Sequence, residues 1–296
     1  MNIKKLLLGF SGLLISLTFL ACGGSATSDD VATGTVNLSI TDAPIVDEDN
    51  VTAVFITVRE IQYHGPDGWS TLSDFNTSLN PINLLDFQNG VSLALSKSTL
   101  PAGKYTQVRF LLEAEEESKA PKSNTGCFIQ FDGDRNETLY VPSGSKSGFK
   151  TVGNFEVPAN GKVNITADFD VRKSITVSNN KSVYKLKPTI RIVVEHQAGE
   201  IKGTVSNLNP ANTYVMYAYQ AARNVDSVSE ASEDFMNAVT SAKLNSDGSY
   251  TLAFIAEGDY DLIIAEYDLN GDYVGHNLQI GLSVQSETTT RHDFVY

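Results

Sequence analysis

Apolar and polar residues alternate with a period of two through most of this chain, which is the signature of half-buried strands. In residues 34 to 42, Val36, Leu38 and Ile40 share one face, and Ala43-Pro44 ends the run because proline cannot donate to a ladder. Residues 51 to 64 read as one long strand carrying Val54, Ile56 and Val58 on a common face. Ile61 joins that face if a bulge near Glu60 shifts the register from even to odd. Gly65-Pro-Asp-Gly68 is a turn, and Trp69 to Leu72 completes a hairpin. Residues 81 to 100, with Leu84, Leu85 and Phe87 clustered before Asn89-Gly90, fit either a short strand or one helical turn. Leu100-Pro-Ala-Gly103 turns into a strand over 104 to 113, and Glu113 to Thr125 reads as an exposed acidic loop. Further short strands follow at 126 to 132, 138 to 141 and 148 to 157. A clear one carries Val163, Ile165, Ala167, Phe169 and Val171, and another spans 184 to 195 with Pro188 at a bulge or edge. After Gly199 the pattern begins afresh, with strands at 200 to 205 and 213 to 220. Turn-and-strand units follow around Asn245-Ser-Asp-Gly-Ser-Tyr250, Glu257-Gly-Asp-Tyr260 and Asn270-Gly271. Ala231, Phe235 and Val239 keep helical spacing in an otherwise polar stretch. Many short strands, turn signals between them and no convincing amphipathic helix predict an all-β chain built of two sandwiches in tandem.

The first 21 residues break this pattern. Lys4 and Lys5 precede an apolar run from Leu6 to Leu20, interrupted by Gly9, Ser11, Gly12, Ser16 and Thr18. A basic start, a short apolar core and a small residue before the cut describe a secretory signal peptide. The run is short of the ~20 apolar residues that a membrane span needs. Ala21-Cys22-Gly23 resembles a bacterial lipobox, which implies cleavage before Cys22 and acylation of its thiol and new N-terminus. Residues 23 to 33 are Gly, Ser, Ala, Thr, Asp and a single Val, a composition suited to a flexible tether. Gly23 in second place implies, by the same resemblance, delivery to the outer membrane of a Gram-negative bacterium. The expected organisation is a signal peptide over 1–21, a lipidated Cys22 and tether over 22–33, a β-rich domain over 34–197 and a second sandwich over 199–296.

Composition narrows the function. The 296 residues are 41% apolar and 19% charged, enough for two cores. The formal net charge is −13, and losing the two signal lysines makes it more negative, which argues against nucleic-acid partners. With Cys22 lipidated, Cys127 stands alone and reads as a small buried hydrophobe. His64, His196, His276 and His292 lack metal-ligand spacing, and no nucleophile elbow or phosphate-binding loop is present.

Asp132, Asp134 and Asn136 occupy positions one, three and five of a calcium-type loop. Glu137 replaces the required glycine and Ser143 the closing glutamate, so a hairpin turn is the preferred reading and calcium the only cofactor candidate. Asp268-Leu-Asn270-Gly-Asp272 reads the same way. Asp42, before Ala43-Pro44, is expected to cap that turn, with ligand contact as the second reading. Trp69, Tyr63, Tyr217 and Tyr219 are candidates for a sugar platform, against cross-strand packing.

Two resemblances sit on these motifs. Ile40-Thr-Asp-Ala-Pro44, Gly68-Trp69, Asn83-Leu-Leu-Asp86, Asn89-Gly90, Leu100-Pro-Ala-Gly-Lys-Tyr105, Val108-Arg109 and Tyr184-Lys-Leu-Lys-Pro188, in that order, resemble an uncharacterised bacterial lipoprotein family, domain of unknown function 4382, over residues 34 to 195. That implies a β-rich fold in the cell envelope and brings no catalytic residues. Residues 199 to 296, with an opening Gly-x-Val strand, an Asp-Gly-Ser-Tyr turn and Gly-Asp-Tyr-Asp-Leu, resemble a carboxypeptidase-regulatory-like, prealbumin-like sandwich. The expected protein is a lipid-anchored, non-catalytic envelope module for binding, adhesion or structure. Its partners would be the membrane, through the lipid, and an extracellular polysaccharide or envelope protein. The alternative is an enzyme of the glycoside hydrolase type acting on an extracellular polymer, or its carbohydrate-binding accessory subunit.

Overall fold

The computed structural model describes residues 31–44, 51–115, 126–142, 146–178, 183–221 and 235–296. Among them the fold is all-β, with an α-helical turn at Val171–Ser174 and four short 3-10 turns.

Three larger sheets and a two-stranded one, Gly103–Tyr105 with Phe155–Val157, enclose the first core. One has the strand order Ile190–Val194, Lys162–Asp170, Thr33–Ala43, Leu93–Pro101. Its two central strands run parallel, Val36 opposite Val163 and Asp42 opposite Phe169. That register sets Val36, Leu38 and Ile40 beside Val163, Ile165 and Ala167, all buried on one face. A six-stranded sheet runs Ile175–Val177, Tyr184–Leu186, Arg135–Tyr140, Phe128–Phe131, Val51–Ile56, Ile82–Asn83. A four-stranded sheet runs Phe149–Lys150, Gln107–Leu112, Val58–Gly65, Gly68–Thr71.

Residues 51 to 65 are two strands in two sheets rather than one. The break falls at Thr57, where Asn80 stands in for a neighbouring strand: its Oδ1 accepts from the Val58 N–H at 2.9 Å and its Nδ2 donates to the Val58 carbonyl at 2.7 Å. The bulge expected near Glu60 is present between Val58 and Glu60, so Val54, Ile56, Val58 and Ile61 all reach the core. The stretch 184–195 also divides, Pro188 separating Tyr184–Leu186 from Ile190–Val194. Both readings of 82–86 hold in part: two strand residues lead into a 3-10 turn at Leu84–Asp86.

From residue 198 the strands form two sheets of their own. Ala198–Ser206 lies between Ser249–Ala256 and Thr289–Arg291, and the second sheet runs Thr240–Lys243, Thr213–Gln220, Gly258–Tyr267, Tyr273–Val284. Between the facing sheets lies a core of Ile201, Met216, Tyr250, Leu252, Leu262 and Ile264. The Thr213–Gln220 strand is buried on both faces, because Val215, Tyr217 and Tyr219 pack with Phe235, Ala238 and Tyr267 in a separate cluster behind it. At Gly248, φ is +79° and an added Cβ would lie 2.3 Å from the Val205 carbonyl, so only glycine closes that turn.

Candidate functional site

Two places concentrate polar chemistry. The first is buried. Where the parallel pair Thr33–Ala43 and Lys162–Asp170 ends, it meets the C-terminal sheets. Asp42 continues the core face of Val36, Leu38 and Ile40 and is 5% exposed. Its Oδ1 accepts the Val171 N–H at 3.0 Å and its Oδ2 accepts Gln88 Nε2 at 3.3 Å. Among the described residues Asp42 thus closes the entry of the helical turn from across the fold, and the segment that follows Pro44, where the expected turn cap would act, lies outside the described residues. Burial, opposed by those two bonds and reinforced by the charges of Asp170 and Asp168, pushes its carboxyl well above the usual range.

Asp168 faces Arg191, with Nη2 at 2.6 Å and Nε at 2.7 Å from Oδ2. Burial still raises its pKa, because the Arg191 charge offsets only part of the desolvation. Asp170 behaves oppositely. Burial pushes it up, but Arg172 and Lys173, at 3.0 and 3.1 Å, outweigh that and hold the carboxyl below its ordinary value. Asp170 also caps the helical turn through the Lys173 N–H.

Arg172 and Lys173 extend the cluster into the C-terminal portion. Arg172 Nη1 donates to the Phe235 carbonyl, and Nη2 donates to the Ala238 carbonyl at 3.3 Å. Lys173 Nζ donates to the same Ala238 carbonyl at 2.6 Å, and the guanidinium sits 5.4 Å from the Tyr217 ring centre. Ser241 Oγ to the Pro44 carbonyl (3.5 Å) and Asn89 Nδ2 to the Lys243 carbonyl (3.1 Å) cross the same junction. A small polar cavity lies here, between Asp42, Asp168, Thr240 and Ser241. Each of the three carboxylates has a protein donor, and the geometry is that of a structural lock.

The second place is exposed. Cross-strand pairing puts Lys150, Arg109, Gln62 and Thr71 in one row of the outward face of their sheet, and Gln107, His64 and Trp69 in the next. Val108, Phe110 and Ile61 point the other way, into the core. Trp69 is 37% exposed. The Arg109 guanidinium carbon lies 4.1 Å from the indole centre and Lys150 Nζ 5.8 Å from it, while His64 meets the ring edge-on at 5.1 Å.

Of the other aromatic candidates, Tyr217 and Tyr219 are core residues. Tyr217 stacks on Phe235 at 4.5 Å and its hydroxyl lies 3.0 Å from that of Tyr267. Tyr63 packs edge-on against Tyr105 at 5.3 Å. In Asp132-Gly-Asp134-Arg-Asn136, Gly133 takes φ +75° in the hairpin, and Asn136 already sits in the ladder opposite Gln130. At the second Asp-rich turn, Asp268 Oδ1 accepts from the N–H groups of Asn270 (2.8 Å) and Asp272 (3.0 Å), which is turn chemistry. Among the described residues no group of three or more His, Cys, Asp or Glu is placed to hold a metal ion, and no helix is long and apolar enough to cross a membrane. Cys127 is fully buried, and burial pushes its thiol up to about 12. Cys22 lies outside the described residues, as does most of the run with helical spacing before residue 235.

Sequence reasoning did not single out Asp168, Asp170, Arg172, Lys173 or Arg191. A signal existed: Asp168 and Asp170 alternate with Ala167, Phe169 and Val171, and two basic residues follow at once.

The chain belongs to the family described as domain of unknown function (DUF4382), whose model matches residues 33–188. No curated protein matches it. Solved structures with some likeness include the Bacillus anthracis TIE protein, at 13% identity and a TM-score of 0.21. There 88% of this chain is covered but only 33% of the other, so the chain spans a third of that protein's length. GBS52, the minor pilin of Streptococcus agalactiae, matches at 11% identity over 88% of this chain and 94% of its own, with a TM-score of 0.21. BcpA, the major pilin subunit of Bacillus cereus, matches at 10% identity over 89% and 99%, with a TM-score of 0.22.

Proposed function

We propose that this protein is a lipid-anchored, non-catalytic binding module of the cell envelope, held at the outer membrane of a Gram-negative bacterium by an acylated Cys22. The observation that carries the anchoring is the N-terminal sequence: Lys4-Lys5, the apolar run to Leu20, and Ala21-Cys22-Gly23 ahead of a Gly/Ser/Thr/Asp tether. Two or more acyl chains hold a protein stably on a bilayer, at ~0.8 kcal/mol for each buried CH₂. The non-catalytic reading is supported by what the buried carboxylates do: Asp42 holds Val171, Asp168 holds Arg191, and Asp170 holds Arg172 and Lys173. A hydrolase would present two free carboxyl groups to a substrate-sized cleft. In the cavity of about 350 Å³ lined by Glu195, Glu200 and Glu287, Glu200 is paired with Lys202 at 2.8 Å and Thr289 at 2.6 Å, and Glu195 accepts from Thr166 at 3.0 Å. Residues 34–197 and 199–296 would act as successive domains, the second a carboxypeptidase-regulatory-like sandwich, together holding the Trp69 face beyond the tether.

The test is metabolic labelling with a fatty acid in a Gram-negative host, followed by membrane fractionation. The parent should take up label and sediment with outer membranes, and Cys22→Ser should do neither. Equal labelling of the two, or an unlabelled parent in the soluble fraction, would refute the anchor.

A further inference from the structure

We infer that the outward sheet face around Trp69 is a binding surface for an acidic polysaccharide, one whose sugars carry carboxylate or sulfate groups. This rests on the binding-module reading above and names the ligand class. The face is a row of side chains carried by four paired strands, so it suits an extended polymer better than a small molecule, which needs a concave site. An indole that is 37% exposed offers a ring on which the C–H face of a sugar can lie.

Charge then selects among sugars. The chain is acidic overall, at −13, yet two cations stand within 6 Å of this one ring, Arg109 at 4.1 Å and Lys150 at 5.8 Å. Among the described residues neither makes an ion pair. Among the residues of these four strands Glu60 is the one carboxylate, and Thr71 at 2.7 Å and Gln62 at 2.5 Å already engage its Oε1. Arg109 uses Nε and Nη2 on the Gln62 side-chain carbonyl and Nη1 on the Ser147 carbonyl. A guanidinium has five N–H donors, so two remain for an incoming anion. Those contacts fix its plane over the indole, and a stacked, oriented guanidinium is suited to paired hydrogen bonds with a carboxylate or sulfate. Lys150 is exposed and adds a second, mobile positive charge in the same row.

The test is affinity electrophoresis of the full chain carrying Cys22→Ser, so that failure of the anchor and failure of this surface are read separately. The gels contain alginate, dextran sulfate, unsubstituted dextran or duplex DNA. The parent should be retarded by alginate or dextran sulfate, the stronger of the two assigning carboxylate or sulfate ester, and should migrate freely through plain dextran. Lys150→Gln and Trp69→Ala should each weaken that binding by about tenfold, the scale of one lost charge-assisted contact, with the melting temperature of Lys150→Gln unchanged. Raised salt should weaken the parent in the same direction. No retardation by either acidic polymer, equal retardation by plain dextran, binding to DNA as strong as to alginate, or full binding by Trp69→Ala would each overturn the proposal.

Discussion

The Asp42 carboxylate accepts the backbone N–H of Val171 at 3.0 Å, joining residues 129 apart in the chain. The parallel pairing of their strands, with Asp42 opposite Phe169, brings them together, and the helical turn that follows begins at that N–H. Asp42→Ala leaves a buried donor bare, which costs about 1–3 kcal/mol. Asp42→Asn keeps an acceptor oxygen without a buried charge, and Gln88 can turn its amide to offer the matching oxygen. Urea unfolding at neutral pH should therefore rank Asp42→Asn at or above the parent and Asp42→Ala well below it. Equal destabilisation by both variants would mean that the charge itself is needed.

Acid changes these carboxylates in opposite directions. The folded-state pKa values of Asp42 and Asp168 lie above the unfolded value of about 3.9, so between the two values the folded protein holds more protons. Their contribution to stability falls as pH rises through that window. Asp170 is held low, so its contribution is complete above about pH 4 and is lost as pH falls through its folded value. Thermal melts across the acid-to-neutral range should show the advantage of Asp42→Asn over the parent growing with pH. The deficit of Asp170→Asn should shrink toward strong acid. Parallel curves for parent and variants would contradict both assignments.

Arg172 has a side chain only 7% exposed, and it is held by Asp170 and by two carbonyls, those of Phe235 and Ala238. Arg172→Met removes one partner of a buried pair and takes one of two donors from each of the Phe235 and Ala238 carbonyls, which keep the Ala238 N–H and Lys173 Nζ. A loss of about 3 kcal/mol follows, the low end for a broken buried pair, since Lys173 still neutralises Asp170. Adding Asp170→Asn should recover part of that loss. A double variant whose losses simply add, measured by denaturant unfolding, would show that the two residues are not coupled.

The fold was legible where one face of a strand is buried and the other wet, as in Val36-Leu38-Ile40 and Val163-Ile165-Ala167-Phe169. Period-two alternation reports that asymmetry directly. It was not legible where a side chain replaces a strand. The break at Thr57 depends on Asn80, which reaches back 22 residues to the Val58 backbone. The importance of Asp42 was visible, since it occupies the next position on the buried face of its strand. Its partner was not, because Val171 becomes a neighbour only through the parallel pairing. Trp69 was visible as an aromatic beside a turn. The cations around it come from strands 40 and 81 residues away, and only the sheet register gathers them.

The sheets divide near residue 198. Among the described residues no strand of 33–194 pairs with a strand of 198–295, and the hydrophobic clusters on the two sides share no residue. The hydrogen bonds that cross the boundary among the described residues are those of Arg172 and Lys173 to the Phe235 and Ala238 carbonyls, Ser241 to the Pro44 carbonyl and Asn89 to the Lys243 carbonyl. Water can replace such donors at an exposed carbonyl, whereas it cannot replace a shared apolar core. Residues 198–296 made alone should therefore unfold cooperatively in one transition, since roughly 100 residues suffice for a sandwich. The melting temperature of the fragment should lie below that of the same portion in the full chain, by about as much as Arg172→Met lowers it there. Near-ultraviolet circular dichroism should keep the signal of the buried Tyr217 and Phe235 stack. A fragment without a cooperative transition would mean that the polar junction is a condition of folding for the C-terminal portion, and the boundary would then divide sheets without dividing domains.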